Sequence, residues 1–532
     1  MEEIRVAVKE LIQSGIIVQP DAVEFLKSTI SPIDCIKKYL ANPNRNNILS
    51  ANDLKLIVTM QNTIITVSNS DVNRPKIPRR TTKTRSTRQS KSSQNVKSQI
   101  KLNNIGLQTS LDDLTGLSNY ESKFNVVSEV NFSENLSGNI QDLIGYFQDR
   151  YQRLSSIFRG RRDIPYITSI KNLKRSDNEV SIIGMVVEKQ FNPTGGGIII
   201  LEDPTIDRSI QAVIPKSNAI LLEEAVQIMD DSVICVIGNY FNEVFIAKEI
   251  LLPDIPYHKK NNRADIPVHA AFLSDIHIGS KNFLEQPLLN FINFLNGEYG
   301  NNKMRLLGQQ TKYVLFSGDV VDGVGIYPNQ HNDLSIDSIR EQYQVFAQYL
   351  EKIPEDVEIV IIPGNHDMVR SAEPQPRIPP EYAPALNSMK NVHLLPNPTQ
   401  VQIHGVETLM YHCTSLPDIL NHIPGLQADK PVEVMRQMLR ARHLAPIWGS
   451  KTPLATEPRD HLVIDRIPDI FHGGHIHING EGYYRGVQIL NSGTMQNQTS
   501  FQKSLNIIPT PGQVTVTNLK SFGLNKIDFL SS

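Results

Sequence analysis

Four short signatures stand in fixed order between Asp275 and His477: Asp275-Ile276-His277, Gly318-Asp319, Gly364-Asn365-His366-Asp367 and Gly474-His475-Ile476-His477. Each belongs to an apolar run, VHAAFLS, KYVLFSG, VEIVIIPG or PDIFHGG, that reads as a buried strand. Carboxylate, carboxamide and imidazole groups brought to one rim by separate strand ends suit two hard-to-borderline divalent cations. Asp275 and His277, two residues apart on an extended strand end, would both face one metal with Ile276 turned away. Asp319 has two oxygens and is the natural bridge to a second metal. Asn365 offers that second metal a neutral carbonyl oxygen. His475 and His477 repeat the i, i+2 spacing and reach one metal each, and His412, at the end of ETLMYH, completes the second ligand set.

Such a pair of cations clamps phosphoryl oxygens and lowers the pKa of a water, which is the equipment of a metallophosphoesterase. His366 is left free to meet the substrate, stabilising negative charge or protonating the leaving alkoxide. Asp367, next in sequence, is placed to orient His366 through its ring N–H. The mixed nitrogen and oxygen donors fit manganese, iron or zinc, and the carboxylate and carboxamide content leans toward manganese. One Asp-x-His or Gly-Asn-His-Asp alone would mean little; four in order, each tied to an apolar strand, carry the assignment. His331, His404, His422, His443, His461 and His472 read as structural or solvent-exposed. Asp322 in GDVVDG reads as a turn residue that also has the position to support a ligand loop. Cys413 reads as a small buried residue.

The elements that must position these groups divide the chain into four parts. From about residue 264 to 532, strands and helices alternate, which predicts a largely parallel sheet covered by helices, with ligands at the carboxyl ends of its strands. Over 138–256 a helix starts near Asn139 with Ile140, Leu143, Ile144, Phe147 and Tyr151 along one side. Five strands follow, with one helix between the third and fourth, the order of an OB-fold barrel. These strands carry few aromatic stacking candidates, so a protein-facing role weighs as much as single-strand binding. Residues 1–65 read as a small helical, partner-binding domain. Residues 66–137 read as a disordered basic and polar linker: between Val72 and Lys101 there are ten Lys or Arg and no acidic residue. The fold class is thus multidomain α+β.

The chain has 532 residues, 40% hydrophobic and 20% charged, with a formal net charge of -2, so attraction to nucleic acid must be local rather than global. Its three cysteines, Cys35, Cys235 and Cys413, are widely separated, which speaks against a disulfide framework or a cysteine zinc site. No apolar run is long enough for a membrane span, and Met1 is followed by two glutamates rather than a basic segment, so a cytoplasmic location is expected.

The segments DIHIGS, SGDVVDGVGIYPNQ, PGNHDMVRSAEPQP, RARHLAPIWG, PDIFHGGHIH and NSGTMQNQTSFQKSLNIIPTPG resemble the small subunit of the archaeal D-family DNA polymerase, within the calcineurin-like phosphoesterase superfamily. The likeness runs from Asp275 to Gly512, and the helical, linker and OB-like layout before it is similar as well. It implies a 3′–5′ proofreading exonuclease of a two-subunit polymerase. The implied partners are the large catalytic subunit, DNA 3′ ends and, for the front half, a sliding clamp or other replication factor; no membrane partner is implied. By the same resemblance Asp275, His277, Asp319 and His477 hold one metal, Asp319, Asn365, His412 and His475 hold the other, and His366 is the catalytic histidine. Cys413 stands where the family has glycine. Two other readings compete: a non-catalytic B-type scaffold subunit, whose metal signatures would be eroded, and a stand-alone metallophosphodiesterase, which the long front half disfavours.

Overall fold

The computed structural model describes residues 121–530, apart from 134–137, 176–177, 193–194 and 207, together with two short strands nearer the N terminus. Residues 1–100 and 101–532 form separate units. In the first, β1 (Ile17–Val18) pairs in parallel with β2 (Ile48–Leu49). The helices expected over 1–65 and the linker up to residue 120 lie outside the described residues.

The second unit opens with β3 (Phe124–Ser128) and α1 (Ile140–Arg159). Asn139 caps α1 by accepting from the backbone N–H groups of Gln141 and Asp142, and Asp142 reaches back to the Asn139 N–H. Next come β4 (Ile167–Thr168), β5 (Val180–Phe191), β6 (Gly197–Asp203), β7 (Arg208–Ile214), α2 (Ala219–Val226), β8 (Val233–Phe241) and β9 (Val244–Leu251). Strands β5, β6 and β7 pair antiparallel, β7 joins β9 in parallel, and β9 returns through β8 to β5, closing a five-stranded barrel. Alternating residues such as Ile182, Ile199, Leu201, Ala212, Val236 and Phe245 fill its interior. The barrel and its inserted helix have the order read from the sequence.

The last domain contains β10 (His269–Leu273), α3 (Glu285–Leu295), α4 (Asn302–Gln309), β11 (Thr311–Ser317), α5 (Ile339–Leu350), β12 (Glu358–Ile362), α6 (Pro384–Ser388), β13 (Val392–Leu394), β14 (Thr399–Ile403) and β15 (Val406–Met410). It continues through α7 (Leu416–His422), α8 (Pro431–Ala441), β16 (Ile470–Gly473), β17 (Gly480–Tyr484), β18 (Val487–Asn491), α9 (Ser500–Ser504), β19 (Gln513–Asn518) and β20 (Leu524–Asp528). The expectation of one largely parallel sheet is corrected here. One sheet runs β13-β12-β11-β10-β19-β20, parallel through its first four strands; a second runs β17-β18-β16-β15-β14-β3. Strand–helix alternation extends only through β13, and the later short strands mix hairpins with parallel pairs, a pattern that carries no single-sheet signal.

The two sheets face each other across Ala270, Phe272, Leu315, Val360, Ile403, Met410, Ile470 and Leu490. Helices α3 to α6 cover the outer face of the first sheet and α7 and α8 that of the second, giving four layers. Strands covered on both faces must be apolar throughout, which is why β10 and β15 are buried at every position.

Two further expectations change. The linker is expected to run disordered to residue 137, but β3 pairs antiparallel with β14 as the outer strand of the second sheet, and Phe124 stacks on His393 at 4.4 Å. An edge strand is held by backbone hydrogen bonds and needs little apolar patterning, so FNVVS carries no strong signal. The apolar side of α1 is also shifted. Ile140 and Ile144 are 76% and 39% exposed, whereas the buried face is Tyr146, Arg150, Tyr151, Leu154 and Phe158.

Arg150 sits at the centre of that face, fully buried. Its Nε donates to Asp460 at 2.7 Å and its Nη1 donates to the Pro446 carbonyl at 2.7 Å. His443 meets the same Asp460 carboxylate at 2.8 Å, and Trp448 packs on Tyr146 and Phe147. α1 is thereby fastened to the last domain as well as to the barrel.

Removing one partner of a buried ion pair strands the other, so Arg150→Ala is expected to destabilise the protein by about 3–5 kcal/mol in denaturant titration. The surroundings of this pair also set a pH dependence. Burial and Arg150 lower His443 to about 4, and His443 and Arg150 hold Asp460 far below the carboxylate range against the effect of burial. Both folded-state shifts are downward, so the unfolded chain binds more protons and stability is lost as pH falls from about 6.5 toward 4. Thermal melts should show that loss, and His443→Gln, which removes the group that titrates across this window, should flatten it.

Candidate metal centre

The carboxyl ends of β10, β11 and β12 meet those of β15 and β16 at one end of the sandwich, and the signature residues leave the strands there. Asp275 is fully buried; its Oδ2 accepts from the His475 N–H at 2.9 Å, while Oδ1 lies 3.3 Å from His477 Nε2. His277 Nε2 and His477 Nε2 are 3.1 Å apart. Asp319 Oδ1 accepts from the His366 N–H at 2.8 Å, and Oδ2 stands 3.2 Å from His412 Nε2 and 4.0 Å from His277 Nε2. His412 Nε2 is also 3.0 Å from Asn365 Oδ1 and 3.3 Å from His475 Nδ1. Three donor sets result: Asp275, His277 and His477 on one side, Asp319, His412 and His475 on the other, and His277, Asp322 and His366 beside the first, with Asp319 Oδ2 standing between the first two. All seven residues expected as ligands are brought together.

These groups fit a pair of cations. Asp275 Oδ1 is buried with no hydrogen-bond partner, and imidazole nitrogens converge nitrogen to nitrogen, an arrangement that positive charge between them resolves. Asp319 raises His412 to about 10 even though burial opposes it, so the carboxylates draw positive charge to this spot. Asp319 itself, whose carboxylate burial disfavours, is held well below its ordinary range by His412 and His366.

The way the ligands share a face differs from the expected alternation along a strand. β10 ends at Leu273, and Asp275, His277, Asp319, His475 and His477 all take left-handed backbone conformations, with φ of 56°, 56°, 51°, 75° and 62°. The side chains converge through turns that non-glycine residues adopt at a cost of about 1–3 kcal/mol each. Cys413 has φ 76° as well, which explains why glycine suits that position, and its side chain is fully buried beside Gly473. Gly318 and Gly364 permit the closest approach: a Cβ on Gly318 would lie 2.5 Å from His412 Nδ1, and one on Gly364 would collide with Asp319 Oδ1.

A surrounding set of hydrogen bonds fixes each imidazole. The Nδ1–H of His412 donates to the Ser317 carbonyl at 2.7 Å, and the Asn397 carboxamide accepts from the His412 N–H at 3.0 Å. Gln502 on α9 lies 2.8 Å from His477 Nδ1. Asp322 is the hub: its Oδ1 is 3.0 Å from His277 Nδ1 and accepts from Gln496, its Oδ2 accepts from Gln330, and its carbonyl lies 2.7 Å from His366 Nδ1. Asp322 is therefore far more than a turn residue. Gln502 and Gln496 escape sequence reading because a lone glutamine has no spacing signature.

Asp367 is corrected in its role. It does not meet His366; its Oδ1 accepts from the Tyr343 hydroxyl at 3.0 Å and its Oδ2 from the Gly364 N–H at 2.8 Å, so it pins the loop that carries Asn365 and His366. Burial, with Asp319 nearby, pushes it up to about 7. Adjacency in sequence misleads here because the Asp367 carboxylate is taken up by Tyr343 and Gly364 while the His366 ring bonds to the Asp322 carbonyl. Among the other histidines, His472 bridges the Ser317 and Ser492 hydroxyls in the core, His443 serves the Arg150 cluster and His331 is exposed.

Gly364→Ala should displace Asp319. Calorimetric titration with manganese is expected to show loss of tight binding while circular dichroism stays native; unchanged binding would refute the role given to this close approach.

The family of B-type subunits of DNA polymerases alpha and epsilon matches residues 270–477. The DNA polymerase II small subunit of Methanothermobacter thermautotrophicus is 42% identical over 395 residues, 74% of this chain and 81% of that protein. Its counterpart from Archaeoglobus fulgidus is 41% identical over 391 residues, 74% of this chain and 78% of that one. A solved archaeal phosphodiesterase aligns over 49% of this chain and 99% of its own at 12% identity with a TM-score of 0.25, a likeness too slight to carry weight. At the identity shared with the two small subunits, over most of both lengths, the chain belongs to the family of archaeal D-family (DNA polymerase II) small subunits.

Proposed function

We propose that the chain is the 3′–5′ proofreading exonuclease subunit of a two-subunit DNA polymerase, hydrolysing DNA phosphodiester bonds with two divalent metal ions, manganese first. The observation that carries this reading is the completeness of the centre: Asp319 Oδ2 stands between two of the donor sets, and every ligand position is filled. A scaffold subunit freed from catalysis has no reason to keep five ligands in strained backbone conformations. The relatives' role as small subunits supports a large catalytic subunit as partner and DNA 3′ ends as substrate.

Asp275, His277 and His477 would hold one metal, and Asn365, His412 and His475 the other, with Asp319 between them. When bound, the metals supply Lewis-acid charge to the phosphoryl oxygens and an activated water. His366 does the remaining work. Its Nδ1–H donates to the Asp322 carbonyl, which leaves Nε2 as the free ring atom on a partly exposed residue. Burial holds its pKa below the ordinary histidine value, and an arriving anionic phosphodiester pulls it back up. The ring then gives its proton to the 3′-oxygen as the phosphorus–oxygen bond breaks, releasing a 5′-mononucleotide.

The full-length chain, alone and with its large subunit, is expected to release mononucleotides from labelled single-stranded or 3′-mismatched DNA in manganese. Normal metal content with no cleavage in either state would replace this reading with the scaffold. His366→Ala should lose at least about a hundredfold in rate with metal retained, whereas Asp319→Ala should lose both metal and rate.

A further inference from the structure

The loop after Asp322 builds a cavity that hydrolysis itself does not use. The buried Gln330 amide donates to the Asp322 carbonyl at 2.8 Å and accepts from the Ile326 N–H at 2.9 Å. The Gly323 N–H donates to Gln342 at 2.9 Å, and the Tyr327 hydroxyl donates to Asp333 at 3.2 Å. So braced, the loop lines an open concavity of about 270 Å³, with Val324, Tyr327 and Leu334 as apolar walls and Asn329 and His331 at its rim. The Tyr327 ring lies 6.5 Å from the His366 ring at 61°.

Three features point to one kind of occupant. The volume falls just under the range of sites for drug-sized ligands, which suits one flat ring system rather than an extended molecule. Val324, Ile326 and Tyr327 are 49%, 39% and 39% exposed, an apolar surface left open beside a polar centre. An aromatic ring between apolar walls is what an unstacked nucleobase needs: a face to stack on.

We propose that this cavity receives the base of the nucleotide whose phosphodiester lies at the metal centre, with Tyr327 as a positioning residue. The inference rests on the exonuclease reading and gives it a selection rule. A base can enter only after leaving its stack and its pair, so frayed or mismatched 3′ ends reach the centre at less cost than paired ones.

The test is equilibrium binding to the full-length, manganese-loaded chain, using thymidine 5′-monophosphate and deoxyribose 5-phosphate as probes. The wild type is expected to bind the nucleotide about tenfold or more tightly than the sugar phosphate, the size of one base–aromatic stack. Tyr327→Ala should erase that difference with manganese content unchanged, and Tyr327→Phe should keep it. Equal affinity of the wild type for the two probes, including no detectable binding of either, or a preference surviving in Tyr327→Ala, overturns the cavity assignment. Preserved nucleotide preference together with a failure to cleave any DNA would instead remove the exonuclease reading and leave a nucleotide-binding cavity.

Discussion

Asp275 and Asp319 lie almost out of water within a crowd of imidazoles, and negative charge so placed is tolerable only where positive charge can be brought to it. The rest of the domain is arranged around that demand. Two sheets are needed because no single strand edge could present ligands from both sides of a bridging carboxylate: β10, β11 and β12 bring Asp275, Asp319 and Asn365, while β15 and β16 bring His412 and His475. Left-handed turns and the two tight glycines shorten the distances further. Asp322, Gln502 and Asp367 supply the outer bonds that keep ligands and loop from relaxing away.

Much of this is legible in the sequence, for reasons that differ by element. The barrel strands announce themselves through alternation broken by turn residues, and the ligands through signatures following buried strands. What stays hidden depends on contacts between distant residues. Arg150 looks like a surface charge on an amphipathic helix because its partners Asp460 and Pro446 lie some three hundred positions away. Asp322 looks like a turn residue because its histidine partners arrive from other strands. Asp367 is credited to its neighbour in sequence, whereas its bonds go to Tyr343 and Gly364.

The fastening of α1 bears on how the molecule is used. Tyr151 and Leu154 pack among barrel residues such as Ile183 and Val233, while Arg150 and Tyr146 engage the last domain. One helix serves two cores. Barrel and metal centre therefore hold a fixed orientation, and a protein docked on the barrel would have a defined bearing toward the metal site.

β3 has a consequence for where the last domain begins. Its five residues precede the barrel in sequence, yet they complete the sheet that carries β15 and β16, so the barrel is an insertion within the domain it adjoins. A chain trimmed to start at the barrel, or at residue 264, would leave β14 with a bare row of backbone donors and acceptors, the kind of open border that recruits another strand and drives aggregation. A piece that keeps the second sheet whole therefore begins ahead of β3, before residue 124.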